Sequence, residues 1–250
     1  MLSDDTGGKI IGRLEGPKPD TSVLTVVAFV EKQLVEFSVQ YTSSAITNEK
    51  GLTQELCVLL NFYVKEEGYP FWFEKEYMEE PEKGDSPQVD IGVISSQERG
   101  IVIGSKCFSR ESFFSMEAKR LDKISKTREK EYLVGRIEKG KYKECGGVER
   151  FKKEIHGKGL RYGAIIGYVQ AFDFDYWHNT INSWIDELID GMIDTSVKWS
   201  EKDKLLEEYK YSTTARFKSE NSRIADCILL IHLWVSLIPR RGLPIGPNQI

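Results

Sequence analysis

The chain has 250 residues and 28.7 kDa, with 35 Lys and Arg against 39 Asp and Glu for a formal net charge of -4. At 40% hydrophobic and 30% charged residues it is no disordered chain, and its length suits one sizeable globular domain. The longest apolar stretch, residues 225–238, is broken by Asp226 and His232, and Met1-Leu2-Ser3-Asp4-Asp5 lacks a signal peptide's profile, so a cytoplasmic protein outside the membrane is expected.

Residues 1–20 are rich in Gly, Asp and Pro and read as a loose or edge-packed start. Gly7-Gly8-Lys9-Ile10 is no phosphate loop, because the upstream Gly is missing and Ile10 offers no hydroxyl to magnesium. Residues 23–30 read as a short strand and 34–41 as β-type alternation, making 1–47 an N-terminal extension ahead of a domain over 48–250. Residues 48–67 read as a helix capped by Asn48 and stopped by Gly68 and Pro70. Its stripe of Leu52, Leu56, Leu59, Leu60 and Tyr63 leaves Glu55 on or beside the inward face, where a carboxylate needs a partner.

Further strands are expected over 71–77, 89–94, 100–108 as part of a hairpin, and 113–119, with a turn at 81–85. The 113–119 strand has unlike faces, Phe114, Met116 and Ala118 against Ser115, Glu117 and Lys119. Residues 127–139 and 148–155 read as helices and 162–170 as a buried strand. Residues 175–192 form an amphipathic helix whose stripe includes Trp177, Ile181, Trp184, Ile185 and Leu188, which makes the two tryptophans core. Residues 209–217 and 224–237 read as closing strands, so the fold class is α/β or α+β.

Cys57, Cys107, Cys145 and Cys227 show no metal-ligand spacing and read as reduced thiols. His232 reads as a core histidine, and His156 and His178 receive no role. Charge is unevenly spread: residues 119–161 hold 15 Lys and Arg against 7 Asp and Glu, a local excess of +8 on an acidic chain. Such a run is either a polyanion-facing surface or a solvated helix face.

The order is a helix with Glu55, a strand with Asp90, a strand ending Glu117-Ala118-Lys119, a basic segment, then a buried strand. Two carboxylates on adjacent strands can hold a hard cation such as Mg²⁺, and Lys119 shares a strand face with Glu117. There its ammonium orients a nucleophilic water or, with a depressed pKa, takes its proton.

From about residue 48 to 170 this pattern resembles the PD-(D/E)XK phosphodiesterase superfamily of restriction-endonuclease-like nucleases, most tellingly in Phe114-Ser115-Met116-Glu117-Ala118-Lys119-Arg120-Leu121. The chain departs from the family where Pro87 precedes Asp90 by three positions, and where 27 positions separate Asp90 from Glu117. The resemblance implies a mixed central sheet flanked by helices, with extra N- and C-terminal elements. It implies Asp90, Glu117 and the Ala118 carbonyl as ligands of Mg²⁺, for which Mn²⁺ substitutes. It also implies Lys119 as the catalytic lysine and Glu55 as a supporting helical acid.

The function so implied is a metal-dependent endonuclease acting on DNA ahead of RNA, with a bacterial genome-defence or DNA-processing role by fold analogy alone. Lys123, Lys126, Arg128, Lys130 and Arg150 are candidate nucleic-acid contacts, since phosphate binding is mostly electrostatic. Tyr132 either contacts phosphate or lies on a helix surface, and the acids Glu74, Glu76, Glu79, Glu80 and Glu82 either serve a second metal or are solvated. An activating protein partner or a homodimer is open. The alternatives are an idle nuclease-fold module that binds nucleic acid or protein, and a structural ion-pair cluster of Asp90, Glu117 and Lys119.

Overall fold

The computed structural model describes residues 21–84, 86–103, 105–123, 128–193 and 195–239. The glycine-rich Gly7-Gly8-Lys9-Ile10 string and Lys126 lie outside them. The described residues begin with two helices, α1 (Thr21–Tyr41) and α2 (Glu49–Glu67). The valines of residues 23–30 predict a strand there, yet Val23, Val26, Val27, Val30, Leu34 and Phe37 are all buried at helical spacing. That period outweighs the β-preference of single valines, so the expected strands over 23–30 and 34–41 are one helix. It packs into the same core as α2 and the sheet. Helix α2 starts and stops where the capping residues predict: Asn48 accepts from the Gly51 N–H at 2.8 Å, and Gly68 closes the helix at φ +70°.

Next come β1 (Phe71–Met78), β2 (Gln88–Ser95), the β3 (Ile101–Ile103) and β4 (Lys106–Phe108) hairpin, and β5 (Ser112–Leu121). The helix expected over 127–139 is replaced by a 3-10 turn (Glu129–Tyr132) and a hairpin of β6 (Arg136–Glu138) and β7 (Lys141–Lys143). Lys139 at φ +51° and Gly140 at φ +75° form its two-residue loop, the left-handed pair that a tight hairpin needs. The segment lacks the apolar stripe that would dock a helix. Then follow α3 (Gly147–Lys152), shorter than its predicted 148–155, β8 (Tyr162–Val169), α4 (Phe174–Ile189), β9 (Leu206–Lys210), β10 (Thr214–Ser222) and β11 (Cys227–Ser236). The single strand expected over 209–217 turns back on itself as β9 and β10, with Lys210 opposite Ala215.

Seven strands form one mixed sheet in the order β1-β2-β5-β8-β11-β10-β9, parallel at β5–β8 and β8–β11 and antiparallel elsewhere. One face carries α1 and α2 over Met116, Ala118, Ile166 and Leu233. The other carries α3 and α4 over Leu121, Ile165, Phe217 and Trp234. The fold is therefore mixed α/β, a seven-stranded central sheet flanked by helices. Among the described residues, no helix is long and apolar enough to cross a membrane.

β1 is an edge strand, and α2 closes part of its open side. Asn61 Nδ2 donates to the Phe73 carbonyl at 2.8 Å, and Asn61 Oδ1 accepts from the Phe73 N–H at 2.9 Å. The side-chain amide thus takes the place of a further strand, which also blocks edge-to-edge association. Asn61→Ala strips both bonds from a half-buried peptide group, and urea unfolding is expected to show a loss of about 1–3 kcal/mol.

Candidate active site

The site lies where β2 leaves β5. Their pairing runs to Ile91 opposite Met116, so the next N–H groups on that side of β5 belong to no ladder with β2. Two carboxylates take them: Asp90 Oδ2 accepts from the Ala118 N–H at 2.8 Å, and Glu49 Oε2 from the Arg120 N–H at 3.0 Å. Glu49 reaches this point because it opens α2, and the preceding loop is clamped to the sheet. Arg120 Nη1 and Gln170 Nε2 both donate to the Thr47 carbonyl, at 3.0 and 2.9 Å.

Glu117 and Lys119 point to the α3 face, two residues apart on one strand. Both are almost fully buried, and Lys119 Nζ donates to Glu117 Oε1 at 2.7 Å while lying 4.0 Å from Glu49 Oε1. Arg150 from α3 donates to the same Glu117 oxygen at 3.2 Å. α3 packs closely on the lysine stem: a Cβ at Gly147 would sit 3.4 Å from Lys119 Cε and 2.9 Å from the Tyr132 carbonyl. Behind the pair, His156 is fully buried, with Nε2 at 3.3 Å from Glu117 Oε2 and Nδ1 at 3.2 Å from Glu79 Oε2. Glu79 Oε1 is held in turn by the Ser115 hydroxyl at 2.6 Å and the Gly157 N–H at 2.9 Å.

These contacts set unlike charge states. Burial, reinforced by the neighbouring Glu117 charge, pushes the Asp90 carboxyl up from an ordinary 3.8 to about 7. Burial also pushes Glu117 upward, but the charges of Lys119, His156 and Arg150 outweigh it and hold the carboxyl at about 2. Burial pulls the Lys119 ammonium down, yet Glu117, Glu49 and Asp90 together keep it above its ordinary range. Lys119 is therefore held as a cation and hydrogen-bond donor in this cluster.

Of the residues singled out in the sequence, Asp90, Glu117, Lys119 and Arg150 come together and Glu55 does not. Glu55 Oε2 accepts from the Tyr41 hydroxyl at 2.7 Å, and the helical acid beside Lys119 is Glu49. The candidate phosphate contacts are dispersed. Arg128 forms a forked bond to Glu131, Lys130 pairs with Glu187, and Lys123 sits over the Phe172 ring, 5.2 Å from its centroid. Tyr132 is buried, its hydroxyl bonded to His232 Nδ1 at 2.7 Å and to the Trp234 indole N–H at 2.9 Å, so it braces the core. The sequence reading passed over Glu49, gave His156 no role, and left Glu79 between a second metal and solvent, whereas it is tied to Ser115, Gly157 and His156. Glu49 alone carried a local signal, an acid in the first turn of a capped helix. Glu79 and His156 meet across 77 positions.

The residues fit a hard divalent cation. Glu117 Oε2 is buried, makes no well-formed hydrogen bond and has His156 Nε2 at 3.3 Å as its ion-pair neighbour, and Asp90 is raised first by burial and then by the Glu117 charge. A dication relieves both penalties. Among the described residues no three His, Cys, Asp or Glu side chains form a metal-ligating group. Asp90 and Glu117 are a carboxylate pair rather than a closed cage, and a hard cation held by such a pair would need water or other oxygen ligands to complete its shell. Two surface concavities, about 510 and 440 Å³, share Trp72 and Ser96 at the opposite end of β2 from Asp90.

No family model matches the chain, and neither a curated protein nor a solved structure gives a significant match.

The raised Asp90 predicts a pH signature. Because the folded state holds this proton more tightly than the unfolded chain, the Asp90 contribution to stability falls as pH rises from about 4 to about 7. Asp90→Asn mimics the protonated acid. In the absence of divalent metal, its melting temperature relative to wild type should climb across that window and level off above it. A constant difference would show that Asp90 titrates normally.

Proposed function

We propose that the chain is a metal-dependent nuclease of the PD-(D/E)XK, restriction-endonuclease-like kind, hydrolysing phosphodiester bonds in DNA ahead of RNA. The observation that carries this reading is the convergence of Asp90 with Glu117 and Lys119 where β2 leaves β5, completed by Glu49 from the preceding helix. Asp90, Glu117 and the Ala118 carbonyl would hold Mg²⁺ or Mn²⁺. When bound, the dication supplies charge neutralisation at the scissile phosphate and polarises a phosphoryl oxygen.

The remaining work falls to the chain's own groups. The Lys119 ammonium, anchored on Glu117 Oε1, presents its other N–H donors to the attacking water and the phosphate oxygens. Glu49 fixes that ammonium from the helix side, and Arg150 shares the Glu117 carboxylate and adds positive charge beside it. A bacterial genome-defence or DNA-processing role extends this reading by analogy, as does activation by a partner or a second copy.

Incubation with plasmid and linear DNA in Mg²⁺ or Mn²⁺ is expected to give cleavage that EDTA and Lys119→Ala both abolish. Either metal should also raise the wild-type melting temperature, a shift that Asp90→Asn removes. The rival reading, a buried structural ion-pair cluster, draws on the 2.7 Å Glu117–Lys119 contact. It predicts no cleavage, no metal shift, and a loss of roughly 3–5 kcal/mol when one partner is removed.

The two helical acids separate cleanly. Glu49→Gln should lower cleavage roughly 10- to 100-fold, as expected for a residue that orients a catalytic group, while Glu55→Gln should stay within about twofold of wild type. Equal effects would remove Glu49 from the site.

A further inference from the structure

The carboxyl ends of β5 and β8 carry an aromatic surface that the catalytic cluster does not use. Phe172 and Tyr176 stack on one another with ring centroids 4.1 Å apart and planes 24° apart, yet they remain 42% and 44% exposed. Both rings rest edge-on against the buried Trp177, with centroids 6.2 Å away for Phe172 and 5.3 Å for Tyr176, so the pair is seated on the core and still half-exposed. Phe172 is held at φ +59°, a backbone region that bulky side chains avoid. Its loop is pinned on both sides: the Gln170 N–H donates to the Leu121 carbonyl at 2.9 Å, and the Trp177 indole N–H to the Ala171 carbonyl at 2.6 Å. Asp173 accepts from the Tyr176 N–H at 2.8 Å and sets the start of α4.

The surface lies close to the site in register. Lys119 is opposite Gly167 and Leu121 opposite Val169, so Phe172 follows three residues after the strand that flanks the catalytic lysine. Lys123, four residues beyond Lys119, brings its ammonium to 5.2 Å from the Phe172 centroid. The adjacent acids are engaged: Asp122 Oδ1 accepts from the Lys123 N–H at 2.7 Å, Asp173 caps α4, and Asp175 pairs with Lys210.

We propose that Phe172 and Tyr176 are a stacking platform for an unpaired nucleobase, with Lys123 serving the adjoining phosphate, so that this chain acts on single-stranded or locally unpaired nucleic acid. The proposal rests on the nuclease reading and narrows its substrate class. A half-exposed stacked aromatic pair, with an ammonium over the Phe172 ring that a base could displace towards its phosphate, supplies the two parts of sequence-tolerant single-strand binding, an aromatic surface and a positive charge for the backbone. A base inside a duplex already has both faces covered, so it cannot use the platform without leaving its stack.

The test is fluorescence anisotropy with short labelled single-stranded DNA, single-stranded RNA and the matching duplexes, in EDTA, for wild type, Phe172→Leu, Tyr176→Leu, Phe172→Trp and Lys119→Ala. Each leucine variant keeps an apolar side chain at an exposed position and should weaken single-strand binding roughly five- to a hundredfold, while Phe172→Trp retains it. Wild type should bind at least one single strand more tightly than its duplex, and the DNA and RNA arms show which sugar the platform accepts. Leucine variants that bind single strands like wild type, or duplex bound as tightly as single strand, overturn the platform. Failure of the nuclease reading looks different: wild type cleaves nothing in Mg²⁺ or Mn²⁺, while single-strand binding by wild type and Lys119→Ala still depends on Phe172.

Discussion

The N–H groups of Ala118 and Arg120 must find acceptors once β2 has diverged from β5, and the carboxylates of Asp90 and Glu49 supply them. A half-buried backbone donor without a partner is costly, so this requirement draws two acids to the margin of the sheet beside a third, Glu117. Lys119 then lies among them as their counter-ion. The same local break in pairing that needs carboxylates for backbone reasons thus gathers three acids around one lysine.

Around this point the charge cluster is closed from several directions. α3 contributes Arg150 and packs Gly147 against the lysine stem. His156 and Glu79 stand behind Glu117, tied to the backbone through the Gly157 N–H and to β5 through the Ser115 hydroxyl. Such outer contacts restrict the rotamers of the groups they touch, which is how a site of long, charged side chains keeps one geometry. A second buried ion pair, Lys152 with Asp203, joins the C-terminal end of α3 to the segment before β9, so the helix that carries Arg150 is itself fixed.

The sheet organisation explains why the charge cluster and the aromatic surface lie near one end of the sheet. β5 and β8 run parallel, so their carboxyl ends emerge together and their following loops share one neighbourhood. Lys119 comes from the last turns of β5, Lys123 from its exit, and Phe172 from the exit of β8. Parallel pairing demands a crossover, and the chain between the strands supplies the 3-10 turn, the charged hairpin and α3 that cover this face.

Much of this was legible in the amino-acid sequence. Capping residues bounded α2, alternation located β5 with Glu117 and Lys119 on one face, the tryptophan stripe located α4, and the Asp90 strand was read from its apolar run. These are local signals, set by periods of two or 3.6 residues and by the backbone needs of helix ends. Even local reading went astray where composition and period disagreed, as in the valine-rich α1, because a buried stripe of six residues outweighs the β-preference of each. Only the tertiary structure decided which helical acid meets Lys119. Glu49 and Glu55 lie six positions apart on one helix, and the choice between Tyr41 and the lysine depends on how α2 docks across β5. The same holds for His156 on Glu117, for the dispersal of the basic segment into separate ion pairs, and for Phe172 beside Lys123. Apart from Arg128 with Glu131, which are three positions apart, those pairings join residues dozens of positions apart, and no spacing along the chain encodes them.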